Sequence, residues 1–253
     1  CGSDSYCAMV GMGVFSKCDT AVIAGSTTPV ISLTDRLTLD PERILYVTGF
    51  SVDGLWAVES NAGATGLSFR WLKDLTAGTD PDHYGVIESE LLSVPIGCNG
   101  MRAYVGTGVA NQKIGINLGG FIFPVPWNLQ EIERAHFLRS VMEANAFSVE
   151  ANLEAIRKLT KSSNKTLSLC GGQSQSKLFP QILADVTGSA IHSFCDQDAT
   201  AIGVAMIASV ATRKIRHLDE AKRLFVRPAR CYRPREKESL EYKAIYEEWR
   251  ELK

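Results

Sequence analysis

The first information in this chain of 253 residues lies in what it lacks. No C-x-x-C occurs, and the seven cysteines (Cys1, Cys7, Cys18, Cys98, Cys170, Cys195 and Cys231) are scattered and odd in number. That argues against a disulfide framework or a zinc site and for free thiols in a reducing, cytoplasmic setting. The four histidines, His83, His136, His192 and His217, form no ligand pattern with the cysteines. No apolar run approaches the roughly 20 residues needed to span a bilayer, and no signal-peptide pattern is present. Charge of one sign is not in excess: the formal net charge is −1, which leaves no footprint for nucleic acid or an anionic membrane. The late basic stretch "ATRKIRHLDEAKRLFVRPARCYRPREK" is followed at once by glutamates and reads as solvated helix faces. Internal repeats, low-complexity tracts and long linkers are missing, so a single domain is expected. The first residue is not Met, and a preceding part of the natural protein is expected.

A hydrophobic content of 45% with 22% charged residues describes an ordinary globular chain with ample material for one core. "DTAVIAGSTTPVISLT" carries β-branched residues on either side of a turn and reads as a hairpin, residues 20–24 with 30–34. "RILYVTGF" and "LWAVES" read as two further strands joined through Asp53-Gly54. In "AGATGLSFRWLKDL", Leu67, Trp71 and Leu75 recur at helical spacing, so a helix with glycines at its start is expected. Short strands are expected at 101–105 and 119–123. Asn128 and Glu131 have the spacing of a helix N-terminal capping box. After them, Met142, Ala146, Val149, Leu153 and Ile156 form one stripe of a helix running to about Leu159. "KTLSLC" and "AIHSF" read as strands and "SKLFPQILADV" as a helix ended by Gly188. Asp198 caps "ATAIGVAMIASVA", which is apolar or small all round and is expected to be buried. A last amphipathic helix is expected over 236–252. Hairpins followed by βα units indicate an α/β fold, a mixed β-sheet flanked by helices.

Neither G-x-x-x-x-G-K-[ST] nor G-x-G-x-x-G occurs, yet three other glycine turns stand where chemistry could use them. "SLCGGQSQSKLFPQILAD" is a strand, a Gly171-Gly172 turn and a helix start. Glycine admits a ligand to the backbone, and unpaired N–H groups at a helix start favour phosphate. A plain βα turn with no ligand reads equally from the residues. "AGSTTPV" is a hydroxyl-rich hairpin tip, fit for phosphate oxygens or for an ordinary turn. Gly66 opens a helix and would let a ring or ribose lie close, or serve only as loose helix entry. Asp4, ahead of Ser5–Val14, reads as an N-cap. The alternative is a carboxylate that orients an attacking alcohol and accepts its proton late in phosphoryl transfer.

Taken in order, these segments resemble the C-terminal half of the FGGY carbohydrate kinases. "CGSDSYCAMVGMGV" is similar to the Gly-x-x-Asp segment and short helix that open that half. "AGSTTPV" resembles its Gly-Thr-Ser-like hairpin tip, and "GLSFRWLKDL" its Gly-x-x-x-Trp-Leu helix. "CGGQSQSKLFPQILADVTG" resembles its Gly-Gly turn with Gln-Ile-Leu-Ala-Asp, and "DATAIGVAMIA" its Glu-Ala-x-Ala-Leu-Gly-Ala-Ala helix. The resemblance implies an actin/ribonuclease H-like ATPase domain. It implies that residues 1–253 are the nucleotide-binding C-terminal domain of a two-domain enzyme, with the sugar-binding N-terminal domain absent from this chain. ATP with Mg2+ is the implied cosubstrate and a sugar or polyol the implied acceptor. A homodimer is allowed, and no nucleic acid or membrane partner is implied.

By the same resemblance Asp4 is the catalytic base. Gly25 lets the backbone approach the transferred phosphoryl group, and Ser26 or Thr27 contacts it. Gly66 and Arg70 line the nucleotide site. Gly171, Gly172 and Gln173 pass close to its phosphates or ribose, and Ser176 falls at the adenine. Asp4 and the diglycine turn are then expected along one wall of a groove holding the triphosphate. Within the family, "SVMEANAFSVEANLEAI" and "INLGGFIF" look most like the autoinducer-2 kinases. Three departures stand out: Gln173 replaces a usual third glycine, Asp198 a glutamate and Cys1 a glycine. The Gly-Glu-Arg-x-Pro loop of xylulose-type kinases is missing, with "GTGVANQK" in its place. The alternatives are a xylulose- or glycerol-type kinase, a non-catalytic nucleotide-binding actin-like module, and a structural fragment that binds nothing.

Overall fold

The β-branched residues on either side of Gly25–Thr28 pair as a hairpin, β1 (Thr20–Ile23) with β2 (Pro29–Thr34), with Val22 opposite Val30. The structure, a computed structural model, describes residues 2–80, 83–109, 119–124, 132–195, 198–227 and 230–251. β3 (Tyr46–Gly49) and β4 (Trp56–Asn61) extend the hairpin, β4 lying antiparallel to both β2 and β3. On its other side β1 runs parallel to β7 (Thr166–Cys170), and β7 parallel to β8 (Ala190–Ser193). β9 (Arg230–Tyr232) closes the edge antiparallel to β8. The sheet order is therefore β3-β4-β2-β1-β7-β8-β9, mixed as expected. The strands read over 101–105 and 119–123 are a separate short ribbon, β5 (Arg102–Ala103) with β6 (Phe121–Ile122).

Side-chain alternation divides the core into two layers. Val22, Val30, Val58, Leu167, Leu169 and Ile191 face α4 (Arg134–Thr160), α5 (Phe179–Thr187) and α8 (Glu236–Glu251). Ala21, Ile31, Leu33 and Ala57 face α1 (Asp4–Gly11), with α6 (Ala199–Ala211) packed on it. α7 (Leu218–Phe225) completes that second layer through Ala221. α2 (Thr65–Ala77) and α3 (His83–Ser93) stand beside α4. The stripe read on α4 is buried in full. The expected cap at Asn128–Glu131 lies outside the described residues; in the described helix the Glu133 amide donates to His136 Nδ1 at 3.2 Å. Gly188 ends α5 in the left-handed region, and Asp198 caps α6 by accepting from the Ala201 amide at 3.0 Å.

The helix expected from the spacing of Leu67, Trp71 and Leu75 forms as α2, while the readings of α6 and of Asp4 are corrected. Leu67, Trp71 and Leu75 face solvent, Trp71 being 53% exposed; Thr65, Ser68 and Leu72 face inward. Hydrogen bonds of the buried Thr65 to Thr28 and Gln173 go with that rotation. α6 is only half buried: Ala199, Gly203 and Met206 pack inward while Val204 is 51% exposed. Its closeness to α1 comes from glycine meeting backbone, since a methyl on Gly203 would lie 1.8 Å from the Cys7 carbonyl oxygen. Asp4 is not the cap of α1. Ser3 takes that place, its Oγ accepting from the Tyr6 amide at 3.3 Å.

α8 is held to α4 by a buried polar set and an aromatic cluster. The Arg139 guanidinium donates to Glu143 Oε1 at 3.0 Å and to the Tyr242 hydroxyl at 2.9 Å, and that hydroxyl donates to Glu143 at 3.0 Å. Burial raises the Glu143 carboxyl above its usual range, against the pull of Arg139. Trp249 is fully buried, stacks on Tyr104 with centroids 5.6 Å apart and donates to the Ala103 carbonyl at 2.9 Å. Replacing Trp249 with Ala should lower stability by about 3–5 kcal/mol, the usual range for deleting a buried large aromatic. Urea unfolding of the two proteins measures this directly.

Candidate active site

Three glycine turns far apart in sequence meet at the tip of the β1–β2 hairpin. A methyl on Gly66 would lie 2.0 Å from the Gly25 carbonyl oxygen, so the start of α2 rests on the tip. The Leu67 amide donates to the Ser26 carbonyl at 3.1 Å and fastens that contact. Gly171 holds φ at +94°, and a methyl there would lie 2.5 Å from the Ala24 carbonyl oxygen. Both features require glycine. The Ala24 amide donates to the Cys170 carbonyl at 2.7 Å and the Gln173 amide to the Ala24 carbonyl at 3.1 Å. The diglycine turn is thereby bolted to the same tip.

Beside this junction opens a cavity of ≈ 680 Å³. Gly25, Ser26, Gly66, Gly172 and Gln173 line one end. Ile87, Leu91, Met142 and Phe179 form an apolar wall, with Tyr84 also lining it. Arg70 supplies the cation among the described lining residues. Gly172 has no neighbour within 4 Å of where a side chain would begin and no left-handed backbone, so the fold does not demand glycine there. A glycine kept facing an open cavity suits close approach of a ligand to the backbone. Thr27 and Gly171 lie beside the cavity without lining it.

Ser176 lines the cavity with Glu88 and is also a local cap. Its Oγ accepts from the Leu178 and Phe179 amides, both at 3.1 Å, and donates to Glu88 Oε1 at 2.6 Å. Glu88 also accepts from the Lys177 amide, so its carboxylate takes donors ahead of α5 that an anion would otherwise use. Sequence reasoning missed α3 and with it Tyr84, Ile87, Glu88 and Leu91. The signal was present: Tyr84, Ile87 and Leu91 recur at three and four after Asp80-Pro-Asp82. Cys170 precedes the diglycine turn but is inert, because burial pushes its thiol up to about 12 and the charge of Asp198 adds to this.

Asp4 does not share the cavity. It starts α1, in the layer across the sheet from the cavity walls. The expected single wall is thus two layers, since α1 packs on one face of β1–β2 and the cavity on the other. Tyr6, one half-turn after Asp4, bonds Thr48 at 2.6 Å, and its neighbour Glu59 lies opposite Ile31, two pairs from the hairpin tip. Burial raises the Glu59 carboxyl, and the nearby charge of Asp4 raises it further. Asp4 is exposed, and its carboxylate accepts from the adjacent Ser5 amide at 2.8 Å. Among the described residues, no group of three or more His, Cys, Asp or Glu is placed to hold a metal. No helix among them is long and apolar enough to cross a membrane.

A family model described as the C-terminal domain of the FGGY family of carbohydrate kinases matches residues 21–212. The Bacillus subtilis protein YoaC, which carries a sugar-kinase name, is 27% identical over 99% of this chain and 49% of its own. An autoinducer-2 kinase of Yersinia enterocolitica is 27% identical over 97% of this chain and 47% of its own. Among solved structures, a xylulose kinase from Rhodospirillum rubrum aligns with a TM-score of 0.83 at 20% identity, over 98% of this chain and 49% of that one. A Plasmodium falciparum glycerol kinase with ADP aligns with a TM-score of 0.76 at 16% identity, over 98% and 50%. The chain spans about half the length of the relatives it matches. The fold is the actin/ribonuclease H-like ATPase fold expected from the sequence.

The two turn glycines should separate on substitution. Gly172→Ala should melt like the parent, because a methyl there meets nothing within 4 Å. Gly171→Ala should instead lower the melting temperature. Thermal melts of the two variants and the parent distinguish them.

Proposed function

The chain belongs to the FGGY family of carbohydrate kinases, as its C-terminal domain, and from that premise we propose that it supplies the ATP-binding half and the catalytic carboxylate of a sugar kinase. The observation that carries this reading is the junction of three glycine turns beside one cavity, with Gly172 left open where no fold constraint asks for glycine. The apolar wall of Ile87, Leu91, Met142 and Phe179 suits a nucleoside base. Gly25, Ser26 and Gly172 suit its phosphates, and Arg70 adds positive charge. A glycerol kinase of similar fold was solved with ADP, which supports a nucleotide as a ligand of this fold. Mg2+ would arrive on the phosphate oxygens, where it neutralises charge.

Asp4 is exposed, in the layer across the sheet from the cavity walls, and is not among the residues that line the cavity. That placement suits a carboxylate facing a second substrate rather than the nucleotide. It would orient the acceptor hydroxyl, whose oxygen bonds to the terminal phosphorus as the bond from phosphorus to the ADP oxygen breaks. The hydroxyl proton passes to Asp4 late in that step. In this reading the acceptor is held mainly outside this chain, which spans about half the length of the relatives it matches. The acceptor class is a sugar or polyol, and identity to an autoinducer-2 kinase supports that branch. Six described cysteines are free, which supports a cytoplasmic setting.

In an intact kinase carrying this domain, Asp4→Asn should lower kcat by about 10²–10⁴-fold, the range for a lost acid–base group. ATP affinity should hardly change. Wild-type turnover in that variant would remove Asp4 from the chemistry, whereas an intact parent protein that binds ATP and transfers no phosphoryl group would favour a nucleotide-binding module. The 253-residue chain by itself should bind ATP and phosphorylate no sugar, because half a cleft does not position an acceptor. A coupled ADP-release assay over a panel of sugars and polyols checks this.

A further inference from the structure

Gln173 stands in the diglycine turn at a position whose backbone is not left-handed, so a side chain is free to exist there. Its carboxamide joins elements that approach from four directions. Nε2 donates to Thr65 Oγ1 at 2.9 Å and lies 3.5 Å from Thr28 Oγ1. Oε1 accepts from Asn145 Nδ2 at 3.3 Å. Thr28 and Thr65 share a hydrogen bond of 2.6 Å, and Asn145 Nδ2 donates a second time, to the Thr65 carbonyl at 3.1 Å. Thr28 leaves the hairpin tip, Thr65 begins α2, Gln173 follows Gly172, and Asn145 lies mid-way along α4. Thr28, Thr65 and Asn145 are buried to 1% exposure or less.

Two details show that the set is constrained. Thr65 Oγ1 accepts from Gln173, so its own proton is free for Thr28; the bond directions close without conflict. Asn145 spends both amide protons on the set, and its buried Oδ1 has no hydrogen-bond partner among the described residues. A buried unpaired acceptor is unfavourable by a kcal/mol or more, and the fold tolerates it to keep Nδ2 on Thr65 and Gln173.

We infer that Gln173 is a positioning residue, whose carboxamide locks the hairpin tip, the start of α2 and the diglycine turn into one rigid wall for the phosphates of a nucleotide. The inference rests on the nucleotide reading of the cavity. Without the tie, the three turns keep their glycine contacts but gain freedom that binding must then remove. That loss falls on ligands that touch the phosphate wall. The apolar wall, held by Ile87, Leu91, Met142 and Phe179, does not involve Gln173.

The test compares ADP and adenosine binding by titration calorimetry in the 253-residue chain and in Gln173→Met, which keeps length and volume but forms no such bonds. Gln173→Asn, too short to reach Thr65, is the second variant should the first fold poorly. ADP affinity should fall about tenfold, the equivalent of one or two lost hydrogen bonds, while adenosine affinity stays near that of the parent. Equal losses for both ligands would mean general loosening and would overturn the inference. So would unchanged ADP binding in both variants. A parent chain that binds neither ligand would instead bring down the nucleotide reading itself, a distinct outcome.

Discussion

The molecule is organised around the close approach of backbone to backbone at one hairpin tip. Gly66 meets the Gly25 carbonyl and Gly171 meets the Ala24 carbonyl at separations that no side chain would permit. These contacts bring a hairpin, a helix start and a βα turn to one point, although about 145 residues separate Gly25 from the end of the diglycine turn. Hydrogen bonds between main-chain groups then fix the approach. The cavity exists because the three turns converge without filling the space beside them.

α4 carries this arrangement into the rest of the fold. Its Asn145 reaches the turns, and its Ser148 donates to the Ala62 carbonyl at 2.8 Å behind them. One turn earlier, Glu143 and Arg139 hold Tyr242 of α8. A single helix thus joins the cavity to the carboxyl-terminal segment, and its polar residues are buried only because each finds partners. The Arg139–Glu143–Tyr242 set adds little net stability, since desolvation offsets much of the attraction. Net stability in that region comes from the aromatic packing of Phe147, Tyr246 and Trp249.

The hairpin, the α4 stripe, the Gly188 end of α5 and the Asp198 cap were legible because each is a local pattern. The rotation of α2 was not. Its sequence presents Leu67, Trp71 and Leu75 as the apolar face, but Thr65 is committed to Thr28 and Gln173, and a helix has one rotation. α6 misled in the same way: small residues signalled tight packing, which occurs on one face only, against α1. α3 lay unread although it forms much of the cavity wall, because its few apolar residues follow a loop and carry no glycine signature.

By itself the sequence determined the alternation of strands and helices, the glycines that mark the three turns, and the order of motifs that identifies the family. These follow from backbone sterics and side-chain periodicity, which act over a few residues. Only the tertiary structure decided which glycines face a cavity and which face backbone, why Gln173 is tolerated among them, and that Asp4 lies across the sheet from Gly172. Those are questions of what stands opposite a residue, and residues far apart in the chain supply the answer.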